Sequence, residues 1–292
     1  MTLRFIDHLV LPTGDLGVAR SRLSALGFTV APQGLHPFGT KNACVYFADG
    51  TFLEPLAVDD AALAEAAAGA GNVFVARDRI FRRQRGDDGF SAIVMATQDA
   101  DADHAAFLAA GLSAGRRLDF SRDYVDEAGA SRTVSFRLAF AAPPTVSDTF
   151  FFTCERVDRP AGGRGALAVH ANGVTGLSAI VASSREPHAM EGLLAGLAGK
   201  MPETGDDGLR VETANAPILL LRPGALAARF RVAPPRNDEL SLCGVVFSVE
   251  NLADTAALLQ VAGVAHHDAD GLLVVPAAPG QGAFFAFRKT AS

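Results

Sequence analysis

His8 and Glu54 are the residues of this chain whose types and settings best suit chemistry at a buried site. His8 lies in an apolar run, Phe5-Ile6-Asp7-His8-Leu9-Val10, that reads as a strand. Strict alternation sets it on the face of Ile6 and Val10. Glu54 lies in Thr51-Phe52-Leu53-Glu54-Pro55-Leu56 and shares a face with Phe52 and Leu56. A carboxylate among such neighbours is costly to bury without a cation or a hydrogen-bond donor. A neutral imidazole plus a carboxylate suits a divalent ion: Zn, Fe, Mn or Ni. The bland alternative is that the two groups hydrogen-bond each other inside a cleft. Either way they line it.

Further polar residues lie between these two. His36 sits in Gly34-Leu35-His36-Pro37-Phe38-Gly39-Thr40, a loop punctuated by Pro and Gly, where binding groups are common. It reads as a proton-transfer group or substrate contact, or else as a loop-stabilising histidine. Thr40 and Asn42 can donate hydrogen bonds to a ligand oxygen, and Asn42 can equally bond its own turn. Phe38 and Phe52, with Phe47 and the run Phe150–Phe152, offer an apolar lining for a small molecule.

An internal repeat positions these residues. Four segments begin at Phe5, Gly89, Gly176 and Leu242, each a short apolar strand, a loop and an Ala/Leu-rich helix. His8, Ala92 and Gly244 each precede a helix-ending glycine, Gly27, Gly111 and Gly263, by 19 residues. Ser178–Val181 repeats Ser91–Val94, so Ala179 holds the equivalent place in the third segment. That position is histidine once and a small residue three times. In the first segment Asp15 reads as the N-cap of a helix over Leu16–Leu26, with Gly27 just past its end. Strands are expected over Phe28–Ala31, Ala43–Ala48 and Thr51–Val58, the last two joined by the turn signal Asp49-Gly50.

The second segment has the same order: a helix near Ala102–Ala110, then strands near Arg116–Phe120, Ser131–Phe140 and Thr149–Val157. The third is read as a helix near Pro187–Leu197 and strands near Leu209–Thr213, Ile218–Arg222 and Arg229–Val232. The fourth is a helix over Leu252–Val261 and strands over Gly271–Pro276 and Ala283–Arg288. Asp60–Gly69 and the arginine-rich Arg77–Arg85 read as connecting helices, the second solvated. Pro160, Gly162, Gly163 and Gly165 give Asp158–Gly165 the composition of a linker. Two halves follow, residues 1–158 and 166–292.

Four β-α-β-β-β units with an Asp-His-Leu-Val opening strand resemble the vicinal oxygen chelate superfamily. The first unit is similar to its glyoxalase-like domain proteins. The residues that carry the likeness are Asp7–Leu11, Leu26-Gly27-Phe28, His36, Gly39-Thr40, Asn42-Ala43 and Asp49–Glu54. The resemblance implies an α+β fold, in which four βαβββ modules pair into two open-barrel glyoxalase-like domains. It implies that His8 and Glu54 occupy first-strand and last-strand metal-ligand positions. Glu155, on the last strand of the second unit, becomes a candidate third ligand or proton-transfer residue, against the commoner reading of a surface ion pair with Arg156. Members of the superfamily include isomerases, epimerases, ring-cleaving dioxygenases, thiol transferases and metal-free binding proteins of the bleomycin-resistance type. Two functions are therefore expected. One is a metal-dependent lyase, isomerase or dioxygenase acting on a small oxygen-bearing substrate, with His36 or Glu155 moving the proton. The other is metal-free sequestration of a small molecule.

Bulk properties narrow the field. The 292 residues are 49% hydrophobic and 20% charged, with a net charge of −6. An acidic balance argues against nucleic acid as a partner. Cys44, Cys154 and Cys243 lie far apart without CxxC spacing, as expected of reduced thiols in a cytoplasmic protein. The first residues enter a strand with no signal-peptide pattern, and no apolar run is long enough to span a bilayer. No phosphate loop, Ser-His-Asp pattern or dinucleotide fingerprint is present. The C-terminal half has no histidine or acidic residue at the matching first-strand positions. It reads as a structural or dimer-forming half, the basis for expecting a homodimer.

Overall fold

The computed structural model describes residues 3–125, 131–143, 148–157, 164–235 and 239–290. The first module is β1 (Ile6–Pro12), α1 (Leu16–Ala25), β2 (Gly34–Leu35), β3 (Thr40–Asn42), β4 (Val45–Tyr46) and β5 (Phe52–Val58). Two connecting helices, α2 (Ala61–Gly69) and α3 (Val73–Arg85), lead to the second. That module is β6 (Ala92–Thr97), α4 (Ala100–Ala109), β7 (Leu118–Val125), β8 (Ser131–Ala141) and β9 (Phe150–Arg156). The third is β10 (Val174–Ser183), α5 (Glu191–Ala198), β11 (Glu203–Gly205), β12 (Gly208–Val211), β13 (Ile218–Leu221) and α6 (Pro223–Phe230). The fourth is β14 (Ser241–Val249), α7 (Leu252–Val261), β15 (His267–Ala269), β16 (Leu272–Val275) and β17 (Phe284–Lys289).

The helices begin where short polar side chains can take orphan backbone N–H groups. The Asp15 carboxylate accepts from Gly17 N and Val18 N, and Asp60, Asn72, Asp99 and Asn251 cap α2, α3, α4 and α7 in the same way. Gly27 follows α1 at φ 85°, the left-handed geometry that glycine adopts without a Cβ penalty.

The strands form two mixed sheets. The first runs β2-β3-β5-β1-β6-β9-β8-β7, with β4 on β5, and the second β11-β12-β13-β10-β14-β17-β16-β15. In each, two modules meet through their first strands, β1 against β6 and β10 against β14, both antiparallel. Each first strand also pairs in parallel with the last strand of its own module, as β1 does with β5 and β6 with β9. The strands therefore curl into open barrels, the paired-module α+β architecture expected from the repeat.

One core spans both sheets. It holds Leu9, Phe28 and Phe47 from the N-terminal half and Phe247, Phe285 and Phe287 from the C-terminal half. The Phe28 and Phe247 ring centroids are 5.2 Å apart. Polar ties reinforce the seam: Asp49 accepts from Leu177 N at 2.9 Å, and Asn215 bonds both N and O of Ile6. A separate cluster, with Val10, Leu56, Phe74, Ala92, Val94 and Phe152, fills the concave side of the first sheet.

Several expected elements differ. Phe28–Ala31 forms no strand; Ala31 N bonds Cys44 O, but the segment turns the Phe28 ring into the inter-sheet core. Arg229–Val232, expected as a strand, is the end of α6 and the residues after it. Pro223 starts that helix, and Leu226 and Phe230, four apart, are its buried face. The arginine-rich helix α3 is a connector, as expected, but not merely solvated. Arg82 bonds the backbone oxygens of Thr13 and Leu56, and Arg85 pairs with Asp148. Residues 158–163 of the expected linker lie outside the described residues. No helix among the described residues is long and apolar enough to cross a membrane.

Gly39 governs the loop that carries His36. Its φ is +83°, and a Cβ there would lie 2.6 Å from both Ala64 N and Asp60 O. Its carbonyl accepts from Asp59 N and Asp60 N, tying the loop to the start of α2. Gly39→Ala is expected to lower stability by about 1–3 kcal/mol in urea melts, because the backbone geometry and the contact with α2 must both give way.

Candidate active site in the N-terminal barrel

The site begins with an irregularity in β1. Against β6, Ile6 faces Met95 and His8 faces Val94, so the register shifts between them. The bulge breaks the strict alternation expected from the sequence. Ile6 joins Leu9 and Leu11 in the inter-sheet core, whereas His8 and Val10 face the barrel interior. It also lets two adjacent residues, Asp7 and His8, act together. His8 Nδ1–H donates to Asp7 Oδ1 at 2.6 Å. Arg156, on β9, grips the same carboxylate with both terminal nitrogens, Nη2 at 2.6 Å from Oδ1 and Nη1 on Oδ2.

With Nδ1 fixed in this way, His8 Nε2 points at Glu54, 3.4 Å from Oε2. The His8 ring stacks on Phe52 at 4.3 Å and meets the edge of Phe152. On the other oxygen of Glu54, Asn42 donates to Oε1 at 2.7 Å and His36 Nε2 stands 3.6 Å away. His36 Nδ1 pairs with Thr40 Oγ1 at 2.9 Å, and its ring stacks on Phe38 at 5.1 Å. Asp7, His8, His36, Asn42 and Glu54 are all buried. The group lines a cavity with about 580 Å³ of atom-free space, part of it open to solvent, and ringed by Phe38, Phe52, Phe74, Phe120, Phe136 and Phe152.

The structure thus brings together His8, His36, Phe38, Asn42, Phe52 and Glu54. Thr40 stands one shell back, holding His36. Glu155 is placed elsewhere. Along β9, Phe152, Cys154 and Arg156 line the cavity, so Glu155 faces the opposite side. There it accepts from Ala100 N at the start of α4 at 3.0 Å and lies 3.5 Å from Arg137. Missing from the sequence reading are Asp7 as the partner of His8, Arg156 as the clamp on Asp7, and the lining arginines Arg122 and Arg164. Alternation from Phe120 would have put Arg122 in the cavity had the expected strand been carried two residues further.

Electrostatics sort the two histidines. Burial alone would disfavour charge on His8, but its bonds to Asp7 and Glu54 and their charges outweigh this and raise its pKa. Burial lowers the pKa of His36 to about 4, with Arg122 adding to the shift and Glu54 opposing it, so His36 is neutral near pH 7. Burial would raise Glu54, yet the bond and charge of His8, the charge of His36 and the Asn42 donor bring it down to about 2. Asp7 is likewise held well below its usual range, by His8 and Arg156 against its burial. Burial pushes the thiol of Cys44 up to about 12 and raises that of Cys154, so both cavity thiols are protonated near pH 7 in the metal-free protein.

The donors fit a divalent ion at two positions. The 3.4 Å between His8 Nε2 and Glu54 Oε2 exceeds the about 2.7–2.9 Å of a charge-assisted hydrogen bond. It matches the roughly 3.0–3.4 Å that separates two ligands on one ion with bonds of about 2.0–2.2 Å. The Asp7 bond to Nδ1 is the support that holds a ligating imidazole with its other nitrogen free. No group of three or more His, Cys, Asp or Glu among the described residues forms a ready-made ion site. Among the described residues the second module has no histidine or carboxylate at the matching positions. His8 faces Phe52 and Val10 faces Glu54 in the β1–β5 pair, whereas Ala92 faces Phe150 and Val94 faces Phe152 in the β6–β9 pair. Ala92 and Phe152 therefore stand where the first module has His8 and Glu54.

A family model described as a glyoxalase-like domain matches residues 6–198. The chain belongs to the glyoxalase-like domain family. Its paired modules are those of the vicinal oxygen chelate superfamily. No curated protein matches. A hypothetical protein from Staphylococcus aureus has a similar structure, with TM-score 0.66 and 12% identity over 98% of this chain and 99% of that one. A triple mutant of 4-hydroxymandelate synthase from Streptomyces coelicolor aligns at TM-score 0.61 and 12% identity, covering 99% of this chain and 93% of that chain. The Mn(II)-bound glyoxalase from Novosphingobium aromaticivorans aligns at 0.55 and 13%, covering 99% and 82%. At such identities these likenesses establish the shared fold.

The raised pKa of His8 makes a directional prediction for the metal-free protein. The stabilisation from protonated His8 is fully present below its ordinary value of 6.5 and fades as pH rises through the higher folded-state value. The stability difference between wild type and His8→Gln in urea melts is therefore expected to shrink between neutral and alkaline pH.

Proposed function

We propose that this chain is a metal-dependent enzyme of the isomerase or lyase type, acting on a small oxygen-bearing molecule in the N-terminal cavity. The observation that carries the reading is the His8–Glu54 pair: two donors aimed at one point, at ligand spacing, with Asp7 and Asn42 orienting them. His8 Nε2 and Glu54 Oε2 would hold the ion, and the metals suited to one imidazole and one carboxylate include Zn, Fe, Mn and Ni. When bound, such an ion acts as a Lewis acid towards substrate oxygens.

The other residues have separable tasks. Asp7 holds His8 in the tautomer that leaves Nε2 free, and Arg156 keeps Asp7 in place. His36, neutral and lining the cavity beside Glu54 and Asn42, is the proton-transfer candidate. Thr40 fixes its ring. Phe38, Phe52 and Phe152 keep water from the polar cluster and pack the apolar part of the substrate. A base beside the metal pair favours proton-transfer chemistry over oxygenation among the reactions known for this fold. A second reading, metal-free sequestration of a small molecule, is favoured by one feature: Ala92 and Phe152 leave the second module without ligands.

Metal analysis of chelator-free protein separates the two. About one divalent ion per chain, lost in both His8→Ala and Glu54→Gln, is the expected result. No metal under any loading condition would overturn the enzyme reading. Binding should also strengthen with pH and release a proton, because a ligating His8 must be neutral.

A further inference from the structure

We infer that the cavity takes an organic acid, and that Arg122 is the residue that receives its carboxylate. The inference deepens the proposed function and rests on the same cavity being the working site. In a chain of net charge −6, the lining holds three arginines, Arg122, Arg156 and Arg164, against the one carboxylate of Glu54. Arg156 is occupied by Asp7. Arg122 differs: its Nε is buried and has no hydrogen-bond partner among the described residues.

Its setting explains what that guanidinium awaits. Arg122 rises from the cavity face of β7, half-buried, with its guanidinium carbon 5.9 Å from the centre of the Phe136 ring. Its tip lies beside Gly34, where a Cβ would come 2.5 Å from Nη1 and 2.7 Å from Asn42 Oδ1. The absent side chain at Gly34 therefore leaves room for the tip next to Asn42, which itself bonds Glu54. A buried N–H without an acceptor is a standing cost, removed when a ligand supplies an anionic oxygen. A planar guanidinium fork matches a carboxylate in two parallel hydrogen bonds. Phe120 and Phe136, stacked on each other at 5.0 Å, offer an apolar wall beside it. Arg164, exposed at the cavity mouth and laid over the Tyr46 ring at 3.9 Å, adds positive charge on the way in. The ligand so defined has an anionic end at Arg122, an apolar or aromatic body along the phenylalanines, and its reacting oxygens at His8 and Glu54.

The test uses full-length protein and three acids, phenylacetate, phenoxyacetate and hexanoate, each against its primary amide, with dissociation constants from NMR titration. At least one acid should bind roughly tenfold or more tightly than its amide, as a hydrogen-bonded charge implies. Arg122→Gln should abolish that preference and leave the amide affinity within about twofold, while Arg122→Lys keeps part of it. Repeating the titration with EDTA and in His8→Ala separates this inference from the metal reading. A preference that survives both and depends on Arg122 supports the inference even if no metal binds. A preference lost with EDTA but intact in Arg122→Gln belongs to the metal and overturns it. Equal binding of acids and amides, or no binding of any acid at millimolar concentration, also overturns it.

Discussion

Two carboxylates facing one imidazole, all three withdrawn from water, set the terms for the N-terminal barrel. Asp7 and Glu54 are both held ionised, and both address His8, one at each ring nitrogen. Buried charges of one sign are tolerated only when paired and hydrogen-bonded. Arg156 answers Asp7. Between Glu54 and His8 a positive charge is still required, and a proton or a metal ion can supply it. In the absence of metal the proton takes that place, which is why the His8 pKa is raised although burial opposes it. The same feature that stabilises the protonated site is the one that a divalent ion would exploit.

The rest of the fold can be understood as support for that line. The bulge in β1 turns Asp7 and His8 towards one another, and β5 brings Glu54 alongside in parallel register. The loop from β2 to β3 adds His36, Thr40 and Asn42, and Gly39 ties it to α2. The second module contributes walls and cations rather than ligands: Phe152, Phe120 and Phe136, with Arg122 and Arg156. The C-terminal half covers the opposite face of the sheet through the shared core, so the strands bearing His8 and Glu54 are packed on both sides. One half thus holds the candidate site, and the other packs against the strands that carry it.

Much of this is legible in the sequence, because the repeat, the helix caps and the apolar runs are local signals. The Asp15 cap, the Gly27 helix end, α7 over Leu252–Val261 and the asymmetry between His8 and Ala92 are all read from residue type and spacing. The misses come where non-local contacts decide. Ile6 and His8 look like neighbours on one face until the pairing with β6 inserts a bulge. Glu155 looks available until the register of β9 turns Cys154 and Arg156 inward instead. The helix α6 replaces an expected strand because Leu226 and Phe230 bury against the sheet. The Arg156 clamp on Asp7 joins residues 149 positions apart, and Arg122 lies on a strand longer than its apolar stretch suggests.

The account turns on a cation between His8 and Glu54, and the most direct measurement is ¹⁵N NMR of histidine-labelled protein at pH 6, below the ordinary histidine value of 6.5, with and without Zn²⁺. In metal-free protein His8 should show both ring nitrogens protonated, while His36 is neutral. On adding Zn²⁺, His8 should lose the Nε2 proton and keep Nδ1–H on Asp7, with His36 retaining its Nδ1 contact to Thr40. A neutral His8 in metal-free protein whose signals ignore Zn²⁺ would contradict the account.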